Sequence, residues 1–280
     1  MHACEERPSV SESKITSDKI AVVKLGGSVL NGTKAFGRAA LFLKSRCELA
    51  PSERLVVVVS AQKQATDELE VQARRIVRTP RVRTLDLLWC TGELRSVALL
   101  TLHLEAAGVS SVGLNVHETG LQFTAGCGGY SARPLLAGHH LKAALAEHAV
   151  VVVPGFLATR WDAAVVTLGR GGSDLSAVLL AIGLKASRCE LVKDVPGYFR
   201  DDPREDARSP HLPSLTFEEA LRMANRGCDL VQPRALLVAA GANLTLIVRS
   251  MDQDAPSSTV ASGSRSDTPE LHDDPVVTKA

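Results

Sequence analysis

The sequence predicts an α/β fold, a three-layer α/β/α sandwich in which helices cover both faces of a mostly parallel central sheet. Short runs of β-branched residues, such as Leu55–Ser60 with its four consecutive valines, are typical of strands that are buried on both faces. These runs alternate along the chain with segments of helical periodicity. Because two parallel strands must be joined by a crossover, usually a helix, this alternation favours a parallel sheet.

Seven strands and seven helices are expected along the chain. The strands are predicted at the β-branched and apolar runs Ile20–Leu25, Leu55–Ser60, Ser111–Val116, Val150–Pro154, Ala164–Leu168, Cys189–Lys193 and Leu244–Arg249. The helices are predicted where apolar residues recur at helical spacing, at residues 33–48, 64–78, 85–107, 136–148, 174–186, 216–226 and 233–240.

Composition favours one large folded domain that binds small molecules. The 280 residues are 45% hydrophobic, which is enough apolar material for one large core. A net charge of +1 and an aromatic content of 4% give no support for nucleic acid or an acidic membrane as a partner. The six cysteines lack CxxC spacing, so neither a zinc site nor a disulfide framework is indicated, and we interpret them as reduced thiols of a cytoplasmic protein.

Both ends of the chain are expected to lie outside the folded core. Residues 1–17 and 262–280 are rich in Ser, Asp, Glu, Pro and Thr, which is typical of disordered tails. The first of these has no apolar stretch of the kind that a secretory signal needs, and no apolar run is long enough to span a bilayer. The folded domain is therefore predicted over residues 18–261.

The segment of residues 167–176, Thr-Leu-Gly-Arg-Gly-Gly-Ser-Asp-Leu-Ser, is the strongest signal for a binding site. Its glycines let backbone N–H groups approach an oxyanion, and the predicted helix that follows directs its positive end to the same place. Arg170 adds a planar guanidinium suited to a carboxylate or phosphate, and Asp174 suits a cation or an ammonium group. The alternative is an ordinary strand-to-helix turn, which would need neither charge.

Two further strand ends carry charged residues. Lys24 is followed by Gly26 and Gly27, which places an ammonium group beside backbone N–H groups and suits the terminal phosphate of a nucleotide. This turn matches neither the Walker A pattern nor GxGxxG, and taken alone it is as consistent with a structural turn. The segment 193–204, with an acidic residue, a tight turn, an aromatic and a basic residue, suits a nucleotide, although an ordinary surface loop is the alternative.

Ligands of open α/β sheets bind beyond the carboxyl ends of the strands. Five loops each follow a predicted strand: Lys24–Ser28, Ser60–Asp67, Gly155–Phe156, Gly169–Asp174 and Asp194–Arg204. Four of the five contain residues suited to binding anions or cations. We therefore expect the chemistry to converge at one edge of the sheet.

Together these segments resemble the amino acid kinase family, and within it the catalytic domain of aspartate kinases. The match runs from Lys24 to about Val260, so it covers almost the whole core. Its ordered motifs include Val56–Ala61 with Thr66 and Asp67, Thr91–Glu93, Ala132–Arg133, Pro154–Phe156, Thr167–Asp174, Asp194–Arg204, Phe217–Ala220, Gly227 and Cys228 with Pro233 and Arg234, and Val248–Ser250.

The resemblance implies ATP-dependent and Mg²⁺-dependent phosphorylation of the side-chain carboxylate of L-aspartate, giving 4-phospho-L-aspartate and ADP. It implies catalytic roles for Lys24 and Asp174, and a homodimer that acts on small molecules only, with no metal site of its own. The implied amino-acid pocket consists of Ser60, Ala61, Thr66, Glu93, Phe156, Arg170 and Ser173. The implied ATP site consists of Lys24, Gly26, Gly27, Lys193, Asp194, Phe199 and Arg204.

Two residues depart from the family pattern Gly-Ala-Lys-Val-Leu-His-Pro. Asp229 stands where the family usually has Lys, and Gln232 stands where it has His. Lys193, where Thr is common, is our hypothesis for the source of the missing positive charge. Two other functions stay open: a sister kinase acting on another small carboxylate, carbamate or phosphonate, and a catalytically weak nucleotide-binding remnant.

Two further expectations concern the rest of the chain. Only 30 residues follow Ser250, which is too short for the regulatory domains of many aspartate kinases, so feedback inhibition would need a partner chain. On the long predicted helix, Trp89 is interpreted as a residue of the core or of an oligomer interface.

Overall fold

The computed structural model describes residues 20–126, 129–134, 138–169, 171–206 and 208–263. The helices are α1 (Ala35–Leu49), α2 (Ala65–Ile76), α3 (Val82–Ala106), α4 (His139–Glu147), α5 (Gly172–Leu184), α6 (Phe217–Asn225) and α7 (Pro233–Gly241). The strands are β1 (Ile20–Leu25), β2 (Arg54–Val59), β3 (Ser111–Gly113), β4 (Leu121–Gly126), β5 (Gly129–Pro134), β6 (Val150–Pro154), β7 (Leu157–Thr159), β8 (Val165–Thr167), β9 (Arg188–Val192), β10 (Tyr198–Phe199), β11 (His211–Leu212), β12 (Ser214–Thr216), β13 (Leu246–Arg249) and β14 (Ser258–Ala261).

The central sheet has eight strands in the order β12-β14-β13-β9-β1-β2-β6-β3. Its neighbouring pairs are parallel except for β13 and β14, which run antiparallel. The strands at the centre of the sheet are fully buried, as their runs of valine require. The prediction of a mostly parallel central sheet is confirmed.

Helices cover both faces of this sheet, as the alternation of side chains along β1 makes clear. Val22 packs in a core cluster with residues of α4, α5, α6 and α7, such as Leu180. Val23, on the other face, packs with residues of α1 and α3, such as Leu43 and Leu100. The fold is thus the predicted three-layer sandwich, held by two hydrophobic cores on either side of one sheet.

A second, four-stranded sheet was not predicted. Its strand order is β5-β4-β7-β8. The predicted strand Ala164–Leu168 corresponds to β8, which pairs antiparallel with β7 in this sheet and is not a strand of the central sheet. The three residues of β8 are only half-buried, unlike those of the central strands. Strands as short as β7 and β8 have too few residues for a periodic pattern, so the sequence gives no sign of which sheet they join.

Some predicted boundaries of strands and helices differ from those in the structure. The expected strand Ser111–Val116 ends at Gly113, because the Asn115 side chain accepts from the His117 N–H and caps a short 3₁₀ helix, Val116–Thr119. The helix predicted from residue 85 begins at Val82.

The predicted tails lie almost wholly outside the described residues, which begin at residue 20 and end at residue 263. None of the helices in the described part of the chain is both long and apolar enough to cross a membrane.

Candidate active site

Four adjacent strands of the central sheet, β9, β1, β2 and β6, end at the edge of one large cavity. Its volume is about 830 Å³, and its lining includes Lys24 at the end of β1, Ala61 after β2, Phe156 after β6 and Lys193 after β9. Parallel strands place their carboxyl ends at the same edge, so residues far apart in sequence meet here. The expected convergence of strand-end loops on one edge is therefore present.

Two ammonium groups share one buried carboxylate in this cavity. Lys24 Nζ lies 2.8 Å from Asp174 Oδ1, and Lys193 Nζ donates to both carboxylate oxygens, at 3.1 and 2.9 Å. The Gln232 backbone N–H also donates to Asp174 Oδ2, at 3.3 Å. All three charged side chains line the cavity and are at most 12% exposed. We call Lys24, Asp174 and Lys193 the ammonium cluster; it carries one more positive than negative charge.

The start of α5 places Asp174 under the two lysines. Gly171 precedes the helix with a φ of 71°, in the left-handed region that favours glycine, and a Cβ there would lie 2.9 Å from Gln232 Cγ. Asp174 follows in the first turn, where the helix dipole favours negative charge. The remainder of α5 is apolar and buried almost all round, so the helix is held rigidly against the sheet.

Burial and mutual proximity shift the pKa values of this cluster. Burial alone would raise the pKa of Asp174, but Lys193 and Lys24 outweigh it and hold the pKa well below its usual value. For Lys193, burial is the largest influence and Lys24 acts in the same direction, while Asp174 opposes them, so its pKa falls to about 8. Asp174 is therefore an anion at neutral pH, and Lys193 is a cation that can lose its proton slightly above neutral pH.

The turn after β1 brings backbone groups close to the ammonium cluster. The Lys63 N–H donates to the Gly27 carbonyl oxygen at 3.1 Å, and a Cβ at Gly27 would lie 2.5 Å from the Ala61 carbonyl oxygen. Only glycine fits such a close approach of two loops. Gly26 lies directly beside the Lys24 ammonium, since a Cβ at this position would be 3.2 Å from Nζ.

Another part of the cavity is formed by α3 and by Phe156, which lies between β6 and β7. Glu93 is 3% exposed, and its Oε2 has no hydrogen-bond partner among the described residues. Burial raises the pKa of Glu93 to about 8, although the Ala61 backbone and Lys24 act in the other direction. Trp89, one turn earlier on α3, meets the Phe156 ring edge-on, with ring centroids 6.2 Å apart. This wall combines aromatic surface with one buried carboxyl group.

Most of the residues that the sequence predicted as a site line this cavity. They are Lys24, Gly27, Ser60, Ala61, Thr66, Glu93, Phe156, Ser173, Asp174 and Lys193.

Gly26 lies beside the Lys24 ammonium group, as described above, and three other predicted residues lie away from this cavity. Asp194 lines a neighbouring cavity of about 590 Å³, and Phe199 packs against His211 with ring centroids 5.2 Å apart. Arg204 is exposed and pairs with Asp202 at 2.8 Å. Arg170 falls outside the described residues.

The cavity also contains residues that the sequence did not predict for the site. Lys63 and Trp89 line it, and Trp89 was expected in the core or at an oligomer interface. A signal was present in the sequence, because Trp89 precedes Glu93 by four residues and so shares its face of α3. Asp229, the acidic replacement, is exposed and lines the same cavity.

No group of three or more His, Cys, Asp or Glu side chains is arranged to hold a metal ion in the part of the chain that the structure describes. The cavity instead presents ammonium groups and backbone N–H groups, which are donors for anions. Its chemistry suits a ligand that carries several negative charges next to a smaller polar molecule.

Comparison with known proteins agrees with this chemistry. A model of the amino acid kinase family matches residues 19–250. Aspartokinase 2 of Bacillus subtilis is 34% identical over 231 residues, which make up 82% of this chain and 56% of that protein. The chain thus spans about half the length of the curated relatives it matches.

Two solved structures extend the likeness to three dimensions. The aspartate kinase from Synechocystis superposes with a TM-score of 0.74 at 33% identity, covering 89% of this chain and 40% of that one. Escherichia coli aspartokinase III in complex with lysine and aspartate superposes with a TM-score of 0.72 at 26% identity, covering 88% of this chain and 66% of that one.

Proposed function

This chain belongs to the amino acid kinase family, and from that premise we propose that it transfers the γ-phosphoryl group of MgATP to the side-chain carboxylate of L-aspartate. The products are 4-phospho-L-aspartate, an acyl phosphate, and ADP. The relatives named aspartokinase and the bound aspartate of the Escherichia coli enzyme support this choice of acceptor.

The observation that carries the proposal is the ammonium cluster in the cavity. Lys24 and Lys193 hold two positive charges within hydrogen-bond distance of one carboxylate, where water is largely excluded. Phosphoryl transfer requires little covalent chemistry from the protein, and its catalysis rests on positioning and on stabilising negative charge. A preorganised pair of cations at the edge of a cavity supplies both.

In the proposed reaction an oxygen of the aspartate side chain attacks the γ-phosphorus. The bond from phosphorus to the bridging oxygen breaks, and ADP leaves with that electron pair. Lys24 and Lys193 stabilise the charge that develops on the transferring group, and Asp174 keeps both ammonium groups in place. The Mg²⁺ ion enters with the nucleotide as part of the substrate and neutralises phosphate charge. No proton is removed from the acceptor, since its carboxylate is already ionised at neutral pH.

The acceptor is assigned to the wall of the cavity between α3 and the start of α5. Glu93 offers a carboxyl group for the α-ammonium of an amino acid, and Ser60, Thr66 and Ser173 offer hydroxyl groups. Arg170 is proposed to hold the α-carboxylate, on the strength of the family resemblance. A small zwitterion needs a cation for its carboxylate, which Arg170 would supply, and an anion for its ammonium group. Glu93 becomes that anion when the bound ammonium group favours loss of the proton that burial retains.

Lys193 is proposed to replace the lysine that the family usually carries at the position of Asp229. Its ammonium group donates to Asp174 beside that of Lys24, although it comes from the end of β9. Asp229 is exposed, so water and salt screen its charge more than they screen the buried cluster. The cluster thereby keeps two cations despite the acidic substitution.

The proposal is tested by incubating the protein with MgATP, hydroxylamine and a panel of amino acids and small carboxylates. Aspartate-dependent formation of hydroxamate, with one ADP per hydroxamate, is the expected result. If hydroxamate forms with a different acid, or if ADP forms in the presence of a carbamate or phosphonate, that compound and not aspartate is the acceptor. Binding of ATP without turnover of any acceptor would contradict the proposal and identify a nucleotide-binding remnant.

A further inference from the structure

Helix α3 carries two buried polar atoms for which the described residues offer no hydrogen-bond partner, the indole Nε1 of Trp89 and Oε2 of Glu93. The two residues are four positions apart, so they lie on the same face of the helix. Both side chains line the large cavity. Most buried polar groups in folded proteins are hydrogen-bonded, and two exceptions side by side at a cavity wall suggest that a ligand supplies the partners.

We propose that Trp89 is a specificity-determining residue of the acceptor pocket. Its indole N–H donates a hydrogen bond to an anionic or carbonyl oxygen of the bound amino acid, while Glu93 receives the ammonium group. This inference deepens the proposed function. It rests on one part of that function, namely that the acceptor is a small amino acid.

The chemistry of the two atoms selects the ligand. The indole N–H can only donate. The Glu93 carboxyl group, which burial favours in its protonated form, becomes an acceptor when the positive charge of a ligand favours loss of its proton. A ligand that satisfies both residues carries an acceptor and a cationic donor, as an amino acid does in its carboxylate and ammonium groups. A simple dicarboxylate would satisfy Trp89 but has no cation to pair with the Glu93 carboxylate. The pair therefore discriminates amino acids from acids that lack the amino group.

The position of the Trp89 ring follows from its contact with Phe156. Phe156 lies in the two-residue turn between β6 and β7 and has a φ of 64°, which is unusual for a side chain of this size. Its ring meets the indole edge-on at an interplanar angle of 60°. This contact fixes one side of the indole, and the remainder borders the cavity.

Ligand binding must also change the surroundings of Trp89. Both unpartnered atoms are buried, although their side chains line the cavity. An acceptor atom reaches the indole N–H only after a small rotation of the ring, which is partly exposed and can make it. The fluorescence of Trp89 is therefore expected to respond to the acceptor.

The chain is well suited to this measurement because it contains only two tryptophans. Trp161 is 86% exposed and lies between β7 and β8, outside the cavity lining. In a Trp161→Phe protein, a saturable change in emission on titration with aspartate is expected from Trp89. Unchanged emission at concentrations where calorimetry shows the acceptor to be bound would overturn the proposal.

A second experiment isolates the N–H itself. In the Trp161→Phe background, Trp89 is replaced by 3-benzothienylalanine, which keeps the bicyclic shape but has sulfur in place of the N–H. The dissociation constant for aspartate, measured by calorimetry, is expected to rise about tenfold, as for loss of a hydrogen bond to a charged group. The dissociation constant for MgADP should stay within twofold of its value in the Trp161→Phe protein, which is the matched control. An unchanged affinity for aspartate, or an equal loss for both ligands, would overturn the proposal.

Failure of the proposed function gives a different pattern. If the hydroxamate assay identifies another amino acid as the acceptor, the same titrations are run with that amino acid, and its affinity decides whether Trp89 contributes to binding. If aspartate is phosphorylated while the benzothienyl protein binds it as tightly as the control, the kinase assignment stands and the role of Trp89 is lost.

Discussion

Two clusters of buried charged residues include residues of β9 or of the segment directly after it. One lines the candidate binding site, and the other connects elements of the fold. Lys193 follows the last residue of the strand and belongs to the ammonium cluster. Glu190, in the middle of the strand, accepts hydrogen bonds from Arg46 at 2.6 and 2.7 Å and from Arg188 at 2.8 Å. Glu53 joins the second group through two bonds from Arg188, at 2.7 and 3.0 Å. We call Arg46, Glu53, Arg188 and Glu190 the guanidinium cluster.

The guanidinium cluster uses its donors internally. Arg46 meets both oxygens of Glu190 in the forked geometry that guanidinium and carboxylate groups share, and Arg188 spans two carboxylates. Arg249 also lies close, with its Nη1 3.7 Å from Glu190 Oε2, so each carboxylate of the cluster is paired with more than one guanidinium group. None of its members lines the cavity that holds Lys24 and Lys193. Such a cluster ties α1, β9 and the segment before β2 together.

The ammonium cluster, by contrast, lines a cavity and has donors that are not all used within the cluster. One carboxylate serves two lysines, and each ammonium group has three N–H donors that it can direct to different partners. The excess positive charge borders a cavity large enough for a nucleotide and an amino acid. The comparison teaches that contact with a cavity and the availability of donors, more than burial or net charge, mark which ionic cluster binds a ligand.

The largest expected effect on activity comes from Asp174→Asn. The substitution keeps the shape of the side chain but removes the charge that positions both ammonium groups, so kcat for hydroxamate formation should fall at least about 10²-fold. Asp254→Asn, on an exposed acid, is the matched control and should leave kcat unchanged. If both variants were equally active, the ammonium cluster would have no part in catalysis.

The guanidinium cluster should show the opposite pattern in Glu190→Gln. Removing one charge leaves Arg46 without its buried partner, which should lower the free energy of unfolding by about 3 kcal/mol. Urea denaturation measures this loss. At a temperature where the variant is folded, kcat/KM should stay close to that of the wild type. A stable variant that had lost its activity would place Glu190 in the binding machinery and break the comparison.

A smaller effect is expected from Lys193→Ala, which should raise the KM for MgATP about tenfold by removing one buried cation. Lys142→Ala, on the exposed face of α4, is the control for a lost surface charge. Since the pKa of Lys193 lies near 8 without ligand, affinity for MgATP should weaken as pH rises above 8 in the wild type and vary less in the variant. An unchanged affinity for MgATP in Lys193→Ala would refute the replacement of the family lysine by Lys193.

The smallest effect concerns the pH dependence of stability through Glu93. Its pKa is about 8 in the folded protein against an ordinary value of 4.5, so the folded protein holds a proton that the unfolded chain releases. The stability from this group is complete below pH 4.5 and is lost as pH rises towards 8. Between pH 6 and pH 8 the wild type should therefore lose stability relative to Glu93→Gln, by about 1 kcal/mol or more. Urea denaturation at the two pH values measures it, and parallel pH profiles would contradict the shifted pKa.

The fold was predictable where burial dictates the sequence. β1 was placed at Ile20–Leu25 without error, because a strand covered on both faces needs an unbroken apolar run. The two-residue strands β10 and β11 were not predicted, since they form through pairing of Tyr198 with Leu212 across a loop and leave no periodic signal. The small sheet was missed for the same reason.

The site was predictable where a backbone requirement selects glycine. Gly27 and Gly171 mark loops that approach other segments closely, and Lys24 and Asp174, three residues from them in sequence, line the cavity. Trp89 was not predicted, because an aromatic residue on a helix is ordinarily a core residue. Arg204 shows the reverse case, since its position in a motif could not reveal that the side chain pairs with Asp202 at the surface.

The most direct test of the central claim is aspartate-dependent hydroxamate formation, measured together with ADP release, in the wild type and in Lys24→Met. If the ammonium cluster stabilises a phosphoryl group in transfer, the wild type forms hydroxamate and ADP in equal amounts, and the folded variant forms neither. ADP release that does not depend on an acceptor, or full activity in Lys24→Met, would contradict the account.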